Sequence, residues 1–165
     1  GQVLTSTGAG SPPAFETAAG GGKVLQVVQG FNTSTQTTTT TTTYTDITGM
    51  NVTITPSSTS SKILIMWAVQ FKSAAANNGV GMRLMNGATV VVNPSVENGQ
   101  GPQAHQTSGG NLFGIFTFNY LDSPSTTSAT TYKIQGRAYN GTAYFCQTDN
   151  QINSYSTIIA MEIGA

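Results

Sequence analysis

From Lys23 onward the sequence never sustains an apolar repeat of 3.6 residues over eleven positions, so no amphipathic helix organises it. Short runs of β-branched and aromatic residues recur instead, bounded by Gly, Asn, Ser and Pro, which is the pattern of strands and tight connections. KVLQVVQ (23–29), TTTTTTTYTDI (37–47), NVTITP (51–56) and KILIMWAVQF (62–71) come first. The last is apolar on both faces and reads as a central, fully buried strand. VGMRLMNGATVVVN (80–93) reads as a hairpin turning at Asn86-Gly87, a dipeptide suited to the positive φ angles of such turns. NLFGIFTFNYL (111–121) follows a Gly-rich loop. TYKIQGRAY (131–139) alternates, with Tyr132, Ile134 and Ala138 on one face and Lys133, Gln135, Arg137 and Tyr139 on the other. A second hairpin turn, Asn140-Gly141, leads into TAYFCQT (142–148), and YSTIIAMEI (155–163) closes the set.

About nine strands joined by short polar connections predict an all-β fold, an antiparallel β-sandwich of jelly-roll type. Two longer connections, 94–110 and 122–130, favour that topology over a simple meander. The seven consecutive Thr residues at 37–43 read as an edge or half-exposed strand, whose methyls pack while the hydroxyls face water. Residues 1–22 are different. They hold Gly, Pro, Ser and Thr with few large apolar side chains, and predict an extended leader or connector ahead of a single head domain at 23–165.

Charge narrows the range of partners. Asp, Glu, Lys and Arg make up 7% of the chain and sum to zero net charge, against about 25% in an average domain. Nucleic acid is held mainly by many Lys and Arg contacts to phosphate, so the composition excludes it as a partner. The longest apolar run, ILIMWAV at 63–69, is far short of the roughly 20 residues of a spanning helix and predicts no membrane insertion. A neutral, Thr-rich surface favours association and suits a permanent place in an assembly.

Catalytic patterns are sparse. His105 is the only histidine and Cys146 the only cysteine, which leaves no internal disulfide and no thiol metal cluster. Cys146, among strand formers, reads as a buried and inert thiol. There is no nucleophile elbow or P-loop, and the GGGK at 20–23 lacks the Ser or Thr and the helix that phosphate binding needs. Glu16, Asp46, Glu97, Asp122, Asp149 and Glu162 are isolated from one another, so a hydrolase would need two of them to converge in space. The reading is a non-catalytic protein with no cofactor and no metal. Arg83 and Glu162 each interrupt an apolar strand; alternation places them on an outer face, with a charge pair at a subunit contact as the alternative.

The leader GQVLTSTGAGSPPAFE, the stretch YTDITGMNVTITPSSTSSKILIMWAV and the closing STIIAMEIGA resemble the C-terminal head domains of bacteriophage tail fibres and related virion appendages, especially those of marine and cyanobacterial phages. The resemblance implies a virion location, the C-terminal piece of a longer fibre, and a parallel homotrimer whose leaders meet on the axis. It also implies attachment to a host-surface glycan or protein, and it carries no catalytic residue. Two polar loops are the candidate receptor sites: Glu97, Asn98, Gln100, Gln103, His105 and Gln106 in one, and Asp149, Asn150, Gln151, Asn153 and Tyr155 in the other. The alternative is a structural virion component, a capsid decoration or baseplate adaptor, whose only partners are other virion proteins. That reading expects a broad apolar contact surface where the first expects a polar site.

Overall fold

A computed structural model of the protein describes residues 2–6, 8–17, 23–32, 37–40, 42–74, 79–93, 103–105, 109–146 and 155–164. Among these lie thirteen strands: β1 (Gln2–Thr5), β2 (Ala14–Thr17), β3 (Val24–Asn32), β4 (Thr37–Thr39), β5 (Thr45–Ile54), β6 (Lys62–Ala74), β7 (Gly79–Asn86), β8 (Thr89–Val92), β9 (Gln103–His105), β10 (Asn111–Asp122), β11 (Thr130–Ala138), β12 (Thr142–Phe145) and β13 (Ser156–Ile163). The count exceeds nine because short strands form in the leader and in the long connection after β8.

Two antiparallel sheets face each other. The first runs β3-β13-β6-β10, with β12 and β4 continuing it beyond the end of β13; the second runs β5-β11-β7-β8, with β9 beside β7. The chain changes sheet at almost every long connection, from β3 to β5, β6, β7, β10, β11 and β13. That interleaving makes the jelly-roll sandwich which the strand pattern predicts.

Strand period two builds the core between the sheets. Ile63, Ile65, Val69 and Phe71 of β6 point inward against Met82 and Leu84 of β7 and Tyr132 and Ile134 of β11, all buried. β6 is central as expected, but only this face is sealed; Leu64, Met66, Ala68 and Gln70 stay partly exposed on the other. In β5, Gly49 at φ 77° and a register shift opposite Lys133 and Gln135 mark an irregularity. It carries Ile47 and Met50, three residues apart, to the same buried face. The two runs expected at 37–47 and 51–56 are divided accordingly, with Thr45 to Ile54 forming one strand and only Thr37–Thr39 of the Thr tract forming another. β4 is the edge strand that the Thr tract predicts, paired to β12.

Both Asn-Gly expectations shift. Asn86 stays in the ladder opposite Thr89, so the first turn is made by Gly87, at φ 57°, and Ala88. Asn86 remains there because its side-chain amide donates to Asp122 Oδ2 at 2.9 Å. Asn140-Gly141 is no hairpin at all. β11 already has β5 on one edge and β7 on the other, so β12 crosses to the first sheet and pairs with β6 and β4. Within the leader β1 and β2 pair antiparallel, Leu4 opposite Phe15, and neither belongs to the sandwich sheets.

Candidate interaction surfaces

Two buried polar anchors hold the sandwich and take no part in its surfaces. Glu162 lies in β13 with the same parity as Ile158 and Ala160, so it points into the core and is fully buried. Its carboxylate accepts hydrogen bonds from Gln26 Nε2 at 2.6 Å, the Ser57 N–H at 2.7 Å and the Ser57 hydroxyl at 2.6 Å. Loss of hydration pushes its pKa up, but these donors outweigh that and hold it at about 2. The outward placement expected for Glu162 is therefore corrected: its charge is satisfied within its own chain and needs no partner subunit. The second anchor joins Tyr132 to Asp122, the hydroxyl donating to Oδ2 at 2.6 Å. Burial and that carboxylate together push the Tyr132 phenol well above its ordinary range.

The outward face of the first sheet is apolar. Leu121, Leu64, Met161 and Val27 stand opposite one another across β10, β6, β13 and β3, forming one continuous row. The next row is Asn119, Met66, Ile159 and Gln29, and the one after it Thr117, Ala68, Thr157 and Phe31. None of these twelve side chains is charged. Leu121 is 49% exposed, Val27 54% and Phe31 53%. Phe31 stacks on Tyr155 at 5.6 Å between centroids, which puts one sequence-predicted receptor residue at the border of this face. β10 carries Ile115 and Phe113 beyond these rows, both exposed, opposite Gln70 and Lys72, and the Lys72 ammonium lies 5.4 Å from the Phe113 ring centroid. Among the described residues β10 pairs only with β6, leaving its other edge open along Asn111–Asp122.

The outward face of the second sheet is polar and aromatic. Asp46, Gln135 and Arg83 face one another across β5, β11 and β7. Arg83 Nε donates to Gln135 Oε1 at 2.7 Å, and Gln135 Nε2 donates to Asp46 Oδ1 at 2.6 Å. Lys133 Nζ pairs with Asp46 Oδ2 at 2.8 Å. Lost hydration works against the Asp46 charge, but the Lys133 and Gln135 hydrogen bonds prevail and keep its pKa below the ordinary value.

Along this face, planar groups stack in series. The Arg83 guanidinium lies 4.4 Å from the Tyr44 ring centroid, Arg137 lies 5.0 Å from that same ring and 4.5 Å from Tyr139, and His105 meets Tyr139 edge-on at 5.9 Å. Gly81 makes this possible. A Cβ there would sit 3.1 Å from the Tyr44 hydroxyl and 3.2 Å from Arg137 Nε, so the glycine gives the two side chains room to lie across β7. β9 closes the other side: Gln103 stands opposite Gly81, His105 opposite Gly79, and the Tyr139 hydroxyl donates to Gln103 Oε1. Burial raises the Tyr44 phenol pKa against the opposing pull of Arg137 and Arg83.

The structure thus brings Arg83, Gln103 and His105 together, with Arg83 outward as alternation predicts, and leaves Tyr155 on the opposite sheet. Glu97, Asn98, Gln100, Gln106, Asp149, Asn150, Gln151 and Asn153 lie outside the described residues. Tyr44, Asp46, Gln135, Arg137 and Tyr139 belong to the polar face without having been singled out as site residues. Their signal was the alternation of β11, which puts Lys133, Gln135, Arg137 and Tyr139 on one side. Cys146 is buried at the end of β12, and burial pushes its thiol up to about 11 against a hydrogen bond with Ser156. Among the described residues no three His, Cys, Asp or Glu side chains gather as a metal site.

No protein-family model matches the sequence, and no curated protein matches it. The fold does match solved chains of infectious bursal disease virus. For the Gt strain the TM-score is 0.44 at 13% identity over 99% of this chain and 43% of that one. For the Gx strain the figures are 0.40, 11%, 98% and 44%. For the T13 viral particle they are 0.44, 10%, 97% and 41%. This chain therefore spans less than half the length of those it matches. At such scores the likeness says nothing about function.

Proposed function

We propose that the chain is a structural domain of a virion that assembles with copies of itself through the outward face of β3-β13-β6-β10. The uncharged row Leu121–Leu64–Met161–Val27 is the observation that carries this reading. Large exposed apolar patches are uncommon on monomers and mark contact surfaces. An open, apolar edge such as that of β10 is a liability that an assembled partner removes. Four strands about 4.8 Å apart and eight residues long present a face on the order of 500 Å², the scale of one side of a small specific interface. The virion setting and the homotrimer follow the sequence resemblance to phage fibre heads, and the charge-poor surface agrees with a permanent assembly. Further contacts with other virion tail or capsid proteins fit the same apolar face.

The test is the mass of the purified chain by light scattering at micromolar concentration, beside Leu64→Glu and Met161→Glu. A trimer that both variants turn into folded monomers supports the reading. A monomeric parent chain overturns it.

A second reading, attachment to a host-surface glycan or protein, is favoured by the Arg83–Tyr44–Arg137–Tyr139 series. It lies on the opposite side of the sandwich, half-buried, and is not covered by an assembly through the apolar face. Fluorescently labelled protein binding selectively to some bacterial strains, and competed by unlabelled protein, supports attachment. Uniform absence of binding by the folded protein sinks it.

A further inference from the structure

We infer that the outward face of β5-β11-β7 binds the carboxylate of an acidic saccharide, with Arg83 and Arg137 as the anion-binding groups. The inference rests on the attachment reading and supplies its ligand class. Both arginines of the chain, and three of its six cations, lie on this face, where Asp46 is the one carboxylate among the described residues. Asp46 is already engaged by Lys133 and Gln135. Among the described residues neither arginine has a carboxylate within ion-pair distance, since the ion pair found there is Lys133 with Asp46.

The guanidinium faces are occupied by Tyr44 and Tyr139, which fixes their planes and leaves the in-plane N–H groups as the available donors. Arg83 commits Nε to Gln135, and Arg137 reaches the Thr42 carbonyl only at 3.5 Å. The Tyr44 hydroxyl and Arg137 Nε are buried together beside Gly81, with Arg137 the cation that bears most on the Tyr44 phenol there. Both guanidiniums lie within 5.0 Å of one ring, and an anion bound at either fork offsets this clustering of positive charge. A planar carboxylate matches the fork geometry in a way a neutral hydroxyl does not. Tyr139 and His105 supply ring surface for the C–H face of a sugar, and Gln103 beside them adds a polar amide. Carboxylates spaced one to a sugar ring match a face that holds only three cations, whereas the dense phosphates of nucleic acid do not.

The experiment titrates the full chain by calorimetry with oligomers of galacturonate, mannuronate and guluronate, with maltotriose as the neutral control and inorganic sulfate as the anion control. At least one uronate oligomer is expected to bind, weakening as salt is raised. Arg83→Gln and Arg137→Gln should each lower the affinity about tenfold. The inference is overturned if none of the uronates binds, if maltotriose binds as well, or if sulfate binds equally. Unchanged affinity in both arginine variants also overturns it. The comparison among ligands on the parent chain stands even if a variant fails to fold. Strain-selective cell binding that survives both substitutions removes this ligand class and leaves attachment intact; loss of all cell binding removes attachment itself.

Discussion

Ser57 donates twice to one oxygen of Glu162, from its backbone N–H at 2.7 Å and from its hydroxyl at 2.6 Å, and so ties the turn after β5 to the last strand of the other sheet. The link is a charged one in a buried place, which makes it both strong and dependent on pH.

Because the folded pKa of Glu162 is about 2 against an ordinary 4.5, its contribution is complete above the unfolded value. It is lost as pH falls from there toward the folded value. Urea unfolding of the parent chain should weaken between neutral and strongly acid pH, and Glu162→Gln should be less stable at neutrality with a flatter acid limb. Equal pH dependence in the two proteins would assign acid sensitivity elsewhere.

Gly30 sets how closely β3 approaches β5. A Cβ at this position would press on the Asn51 carbonyl and come within 2.9 Å of Ile158 Cγ2. Gly30→Ala is expected to lower stability by about 2 kcal/mol, in the range of overpacking substitutions, read as a lower urea midpoint. An unchanged midpoint would mean that β3 yields freely.

Tyr132→Phe removes the hydroxyl that donates to Asp122 while keeping the buried ring. Asn86 and Ser123 still donate to the carboxylate. Loss of one charged hydrogen bond to a half-buried carboxylate should cost about 1 kcal/mol, measured by thermal or urea unfolding. A neutral result would show that water replaces the phenol.

Cys146 should resist thiol reagents in the folded protein. With its pKa raised to about 11 by burial, the thiolate is scarce at mildly alkaline pH and the sulfur is shielded as well. Labelling by a disulfide reagent should be slow in buffer and fast in denaturant. Rapid native labelling would expose a local opening between β12 and β13.

Much of this architecture was legible in the residues. Period two placed Tyr132, Ile134 and Ala138 inward and Lys133, Gln135, Arg137 and Tyr139 outward, and burial follows that division. The Thr tract reads as an edge because Thr tolerates a half-wet strand, and β4 is one. Charge misplaced Glu162: parity puts it with Ile158 and Ala160, but a carboxylate among apolar neighbours looks like an outward residue until Gln26 and Ser57 arrive from distant parts of the chain. Asn140-Gly141 looked like a hairpin because local turn chemistry cannot register that both edges of β11 are already taken.

Sequence by itself determined the fold class, the strand period and the near absence of charge, since these depend on side-chain type and spacing along one segment. Tertiary structure alone decided which rows line up. Leu121, Leu64, Met161 and Val27 come from four strands far apart in the chain, and Arg83, Tyr44 and Arg137 from β7, the residue before β5, and β11. Their alignment depends on interstrand register, which long-range pairing sets and no local window contains.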